Sequence, residues 1–157
     1  MKDIIIRHYL FDQIQCEPTR QTGATLRKLC SQMAPKLAKL DIRLVFQEAV
    51  METPSTDNIW MMNRVTFSCP EEGLPERDLD EILGLRVTYE PCRTCSDKAG
   101  FPVSCRTVMV EDQGYQALPS GLIADAMLRF SFSVLSGGQT CDSHSCGGCC
   151  EGCHGSH

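Results

Sequence analysis

Glu90-Pro-Cys-Arg-Thr-Cys-Ser-Asp-Lys-Ala-Gly-Phe-Pro-Val-Ser-Cys-Arg-Thr-Val-Met-Val110 is the stretch around which the chain is organised. It sets Cys92 and Cys95 in a C-x-x-C knuckle and brings Cys105 up at the start of a β-branched strand. A two-residue spacer lets both sulfurs address one centre, so the knuckle either holds a soft metal or closes a disulfide. Tetrahedral zinc and iron–sulfur clusters want four protein ligands, so the three thiols need one more, from Cys16, Cys69 or the C-terminal tail. Two other readings stand beside the metal one. A Cys92–Cys95 disulfide can cycle with a substrate while Cys105 stands by, or the reduced knuckle merely turns the chain. Arg93, Lys98 and Arg106 are expected to favour thiolate at neutral pH.

C-terminal to the knuckle, residues 106–111 read as a strand, 112–114 as a turn and 115–118 as a short extended return. Pro119-Ser120 opens a last helix whose face carries Leu122, Ile123, Ala126, Met127 and Phe130. N-terminal to it, Asp78-Leu-Asp-Glu-Ile-Leu-Gly84 reads as a short helix with an Asp N-cap and a Gly C-cap. Residues 64–77 read as a long loop, 58–63 as a third strand, and 41–47 as a second strand alternating Ile42, Leu44 and Phe46. A helix from Thr22, capped by Thr22 or Thr25, presents Leu26, Leu29, Cys30, Met33, Leu37 and Leu40 on one face. Cys16-Glu-Pro-Thr19 is a loop, and residues 4–10 are a buried first strand in which His8 is structural. Helices packed on a small mixed sheet would bury these runs, which makes residues 1–135 one α/β (α+β) domain.

Residues 136–157 hold six glycines, five cysteines, three histidines and no aliphatic side chain, so they cannot build a core. They form an irregular tail, a metal-binding or disordered segment in which Cys141, Cys146, Cys149, Cys150, Cys153 and His154 are the candidate ligands. Cys141-x4-Cys146-x2-Cys149 echoes the spacing of plant-type [2Fe–2S] ligands, with Cys153 as a fourth. Cys146-x2-Cys149 with Cys150-x2-Cys153 makes two knuckles for one zinc ion. Cys150-Glu-Gly-Cys-His154 formally matches covalent haem attachment, a chemistry that needs export.

The totals narrow the function classes. With 157 residues the chain is one domain plus a tail, and no apolar run is long enough for a membrane span. Met-Lys-Asp-Ile-Ile-Ile-Arg-His lacks the small-residue cleavage site of a signal peptide. A net charge of -5 without a basic stripe argues against nucleic acid or anionic lipid as main partner. Eleven cysteines without an export signal point to a reducing cytoplasm, where they bind metal or do redox work instead of stapling the fold.

The element order looks like a thioredoxin-like fold. The wording resembles a small uncharacterised prokaryotic family, a domain of unknown function with that fold. The resembling residues are Thr22-Gly23, Ile42-x-Leu44, Ile59, Asn63 and Asp80-Glu-Ile-Leu-Gly-Leu85. They continue with Cys92-x-x-Cys-Ser-Asp97-x-x-Gly100, Cys105-Arg-Thr-Val108, Tyr115-x-x-Leu-Pro119 and Leu122-Ile123. The chain departs from that pattern where the family usually holds a C-x-x-C after the first strand, because the matching positions here are Cys16 and Thr19. Its turn after Asn63 is longer and adds Cys69, and the tail lies outside the match. The resemblance implies a reactive thiol just before the first helix, where Cys16 stands. There the helix N-terminus lowers a thiol's pKa.

Together these readings predict a thiolate protein that binds zinc or an iron–sulfur cluster and works in metal handling or electron transfer. It would pass metal or electrons to a protein partner, as an accessory subunit of a redox complex. The alternatives are a thiol–disulfide oxidoreductase using Cys16 or the Cys92/Cys95 pair, and an interaction subunit with a structural zinc knuckle.

Overall fold

The computed structural model describes residues 1–14 and 16–137. The alternately buried run Lys2–Phe11 forms β1, with Ile4, Ile6 and His8 turned to one face. Helix α1, Glu17–Ala38, starts five residues earlier than the apolar periodicity predicts. Its N-cap is Cys16, in extended backbone, so the expected Cys16–Thr19 loop is largely its first turn. Pro18 sits in that turn, where the N–H it lacks has no intrahelical partner to lose. Thr22 is not a cap. Its hydroxyl donates to Pro18 O (2.9 Å) and accepts from Leu118 N (3.1 Å), which ties α1 to the segment before the last helix.

The chain returns as β2, Ile42–Met51, parallel to β1 along its whole length from Lys2↔Ile42 to Phe11↔Met51. The predicted third strand is instead a 3-10 turn, Ile59–Met61. Local side-chain bonds outcompete a ladder there. Asn58 accepts from Ser55 N at 2.8 Å and donates to Thr53 O at 3.1 Å, while Trp60 Nε1 donates to Asp57 O at 2.8 Å. The third strand lies in the predicted loop. β3, Val65–Cys69, is buried at every position, so it shows none of the alternation that betrays a half-exposed strand. It turns through Pro70–Glu72 and a left-handed Gly73 into β4, Leu74–Asp78.

The resulting sheet is mixed, in the order β2-β1-β3-β4. β1 runs antiparallel to β3, and β3 antiparallel to β4. Helix α2, Leu79–Leu83, matches the predicted short helix, with an Asp78/Glu81 capping box and left-handed Gly84 as C-cap. Helix α4, Ser120–Leu135, lays Ile123, Ala126, Met127 and Phe130 into the core. There the Phe130 ring meets Phe67 at 5.8 Å between centroids. This α1–sheet–α4 body is the larger core.

A second sheet, ordered β5-β6-β7, is built from the knuckle and its flanks. β5 is Arg86–Pro91, α3 is Arg93–Ala99, β6 is Ser104–Val110 and β7 is Gln113–Tyr115. Gly114 within β7 has no room for a side chain, because a Cβ there would lie 2.8 Å from Thr107 Cγ2 on β6. The architecture is thus α+β with two sheets, where the sequence predicts one. No helix among the described residues is long and apolar enough to cross a membrane.

Candidate metal centre

Two local rules bring the three thiols together. β5 and β6 are antiparallel with Glu90 opposite Cys105 and Pro91 opposite Ser104, and Cys92 N donates to Val103 O at 2.8 Å. The hairpin therefore closes at Cys92, with Cys105 two residues past the closing pair on the other strand. Cys92 is also the N-cap of α3, and its Sγ accepts from Cys95 N at 3.5 Å. Residues three apart on a helix share a face, so Cys95 falls on the same side. The Sγ atoms of Cys92, Cys95 and Cys105 all lie within 4.8 Å of one another. Three sulfurs each bound at about 2.3 Å to one ion lie roughly 4 Å apart, so a triad within 4.8 Å could close on one ion by drawing in slightly. Such a triad could hold a metal ion.

The setting is apolar. Cys95 and Cys105 are buried and Cys92 is half-buried. Phe11, Ile14, Met62 and Val103 wall the site in a second core, separate from the one under α4. Burial, followed by the hydrogen bond and charge of Cys92, pushes the Cys105 thiol up to about 12 and raises Cys95 still further. Burial acts on Cys92 in the same direction, but the Cys95 amide and the neighbouring thiols outweigh it and hold Cys92 below the ordinary thiol range. The site thus contains one thiol inclined to ionise beside two that keep their protons.

Ser96 is the residue that sequence reasoning overlooked. It stands in the Cys-Ser-Asp motif, where the sequence alone assigns it no role. Its hydroxyl donates to Cys92 O at 2.6 Å and accepts from Val103 N at 2.7 Å, which clamps the start of α3 to the approach of β6. A hydroxyl directly after the second cysteine of a knuckle was the available signal.

The other candidates divide between the two cores. Cys16 packs against the second one and is close enough to Cys95 and Cys105 to raise both by its charge. It is not in the mutually close set, and its Sγ lies 2.9 Å from Thr19 Oγ1. Thr19 thus bonds the thiol at the position where the resemblance expects a second cysteine. Cys69 and Cys30 belong to the larger core, and burial lifts Cys30 to about 11, so neither offers a fourth ligand. Arg106 does not face the thiols. Successive residues on a strand point to opposite sides, and its guanidinium donates to Asp80 Oδ1 at 2.6 Å and to Tyr89 Oη at 3.0 Å. Cys141, Cys146, Cys149, Cys150, Cys153 and His154 lie outside the described residues.

His8 is structural, as expected, and buried. Its Nε2 donates to Asn63 Oδ1 at 2.8 Å, and Asn63 Nδ2 donates to Gln116 O at 2.7 Å. That leaves Nδ1 as a buried acceptor with no hydrogen-bond partner.

An α+β chain with three converging thiols is the class that fold and site define. The chain belongs to the family described as a domain of unknown function, DUF2703, whose model matches residues 3–127. No curated protein and no solved structure matches it.

Proposed function

We propose that this protein binds a soft, thiophilic metal ion through Cys92, Cys95 and Cys105 and takes part in handling that metal. The observation that carries this reading is the mutual approach of the three Sγ atoms within 4.8 Å in an apolar pocket. Thiols set among apolar side chains and not paired as disulfides are good ligands for soft ions and poor ones for hard ions. The half-buried Cys92, which ionises most readily, is the first to engage an incoming ion, and the two buried thiols then close over it.

In this reading the domain spans residues 1–135 and is thioredoxin-like. A parallel β1-α1-β2 unit beside an antiparallel β3-β4 hairpin, with Cys16 at the N-cap of α1, supports that assignment. The Cys-rich segment 136–157 supplies a second metal site, with a partner protein that receives the metal. The setting is the cytoplasm, where the thiols stay reduced.

A second reading, thiol–disulfide exchange, is favoured by the contrast between Cys92 and Cys95. A half-buried thiol of lowered pKa three residues before a buried one of raised pKa is the order of an attacking and a resolving cysteine. In that cycle the Cys92 thiolate attacks a substrate disulfide and expels one substrate thiolate. Cys95 then displaces the other, so the substrate gains two electrons and the Cys92–Cys95 pair loses them.

The test is anaerobic metal analysis of the full-length chain with the five tail cysteines changed to serine, before and after titration with Co²⁺. One ion per chain, with intense sulfur-to-cobalt charge-transfer absorption lost in Cys92→Ser, supports the metal reading. A metal-free protein that takes up no Co²⁺, yet shows a reversible two-electron thiol change confined to Cys92 and Cys95, replaces it with the redox one.

A further inference from the structure

Resting on the metal reading above, we infer that the ion this site is built for is trivalent and three-coordinate, of the arsenite or antimonite class, bound as a neutral tris-thiolate.

Coordination number comes first. Among the described residues the group of mutually close ligand atoms contains three sulfurs and no histidine or carboxylate. Cys16, the nearest candidate for a fourth, is held by its 2.9 Å contact with Thr19 Oγ1 and stays outside that group. Zinc, cadmium and cobalt complete a tetrahedron. A trivalent arsenic or antimony centre is a pyramid with three bonds on one side and a lone pair on the other. Three converging sulfurs satisfy it completely.

Charge points the same way. A divalent ion with three thiolates carries one negative charge, and a fourth thiolate makes it two. Holding such an anion in a pocket walled by Phe11, Ile14, Met62 and Val103 carries a desolvation cost unless a cation offsets it. The strand guanidinium next to Cys105, Arg106, is committed to Asp80 and Asp78. Arg93 beside Cys92 is exposed. A trivalent ion with three thiolates is neutral, and an apolar wall suits it. The reaction balances without any oxidant or reductant. Arsenite, As(OH)₃, meets three thiols, three As–O bonds are replaced by three As–S bonds, and each departing hydroxide takes a thiol proton to leave as water.

The groove beside Cys92, lined by Pro91, Arg93, Ser96, Asp97, Phe101 and Pro102, supplies the way in. Capture would start at Cys92 from that side and finish on Cys95 and Cys105 beneath it.

The test uses the full-length chain with Cys141, Cys146, Cys149, Cys150 and Cys153 changed to serine, so that only the domain thiols report. Arsenite is added anaerobically and the folded protein is weighed by native mass spectrometry, with Cd²⁺ titrated in parallel. The expected product is a single adduct of one arsenic less three hydrogens, present also when Cys16→Ser is added. Cys105→Ser should cut arsenite affinity by about tenfold or more and change the adduct to one arsenic plus one hydroxyl less two hydrogens. Because Cys105 is buried, Cys92→Ser, at a half-buried position, is the second variant, and circular dichroism checks the fold of both. Cd²⁺ binding to the three thiols without a tris-thiolate arsenic adduct overturns this inference and leaves the metal reading standing. An arsenic adduct that needs Cys16, or that is unchanged in Cys105→Ser, also overturns it. Failure of both ions to bind brings down the metal reading as well.

Discussion

The two cores of this molecule differ in what fills them. The larger is built of long side chains on regular elements: Ile4 and Ile6 of β1, Phe67 of β3, Leu26 of α1, and Ile123 and Phe130 of α4. The smaller gathers Cys95, Cys92 and Cys16 with Phe11, Ile14, Met62 and Val103, which come mostly from strand ends, helix caps and loops. Apolar carbon stabilises in proportion to the area it buries, so the first core carries the fold. The second sets thiols among fewer apolar side chains, and under the proposed function those thiols are the metal ligands. A fold can thus keep a chemical site next to its core without building stability on it.

Five measurements would break or sharpen that contrast. The largest effect is expected in the first core, where Phe67→Ala should lower unfolding free energy by about 3–5 kcal/mol, read by denaturant titration. A loss no greater than that of a surface substitution would mean the two cores had been ranked wrongly. In the second core the expected gain comes from loading. Cd²⁺ at roughly 100 times its Kd should stabilise the tail-serine protein by about 2.7 kcal/mol, seen as a rise in Tm that Cys92→Ser removes. No rise in Tm would mean that the ion binds elsewhere or not at all.

The next effect is expected on the buried polar pair His8 and Asn63. Asn63→Ala strands the buried His8 Nε2–H and should cost about 1–3 kcal/mol. The same histidine sets a pH dependence. Burial lowers its pKa below the ordinary 6.5, against the smaller opposing effect of the Asn63 bond. The folded state therefore resists the proton that the unfolded chain accepts. His8 imposes no penalty above about pH 6.5, and stability falls as pH drops through that value until the folded-state pKa is reached. Substituting His8 with Gln should flatten that part of the pH–stability curve, and an unaltered slope would assign it to other groups. The smallest change is expected at Gly84, the left-handed C-cap of α2 (φ 68°), where Ala should cost about 1–2 kcal/mol. A neutral result there would show that the cap relaxes freely.

The chain was most legible where structure follows from local pattern. The helix face of Leu26 and Leu37, the Asp78 cap with its Gly84 stop, and the α4 face of Ile123, Met127 and Phe130 all repeat at helical spacing, and all three helices formed. Legibility failed where burial or side-chain bonding overrode pattern. Val65–Cys69 is buried on both faces and showed no alternation. Residues 58–63 looked like a strand but folded on Asn58 and Trp60. The start of α1 was misplaced because Cys16-Glu-Pro carries no apolar signal, although proline in a first helical turn is itself a start mark.

By itself the sequence determined the chemistry, a set of thiols in a C-x-x-C knuckle with a third just beyond, and the strand that follows that third thiol. The elements β5 and α3, which carry the knuckle, came only from the structure. Tertiary structure decided which thiols meet. The pairing of Glu90 with Cys105 sets that third sulfur against the knuckle, and a shift of one residue in register would turn it to the opposite face. Packing likewise sent Cys16 to the second core and Cys30 and Cys69 to the first. Spacing along a chain governs neighbours within a few residues. Contacts between strands depend on register and on which face each strand buries, and those are properties of the assembled sheet.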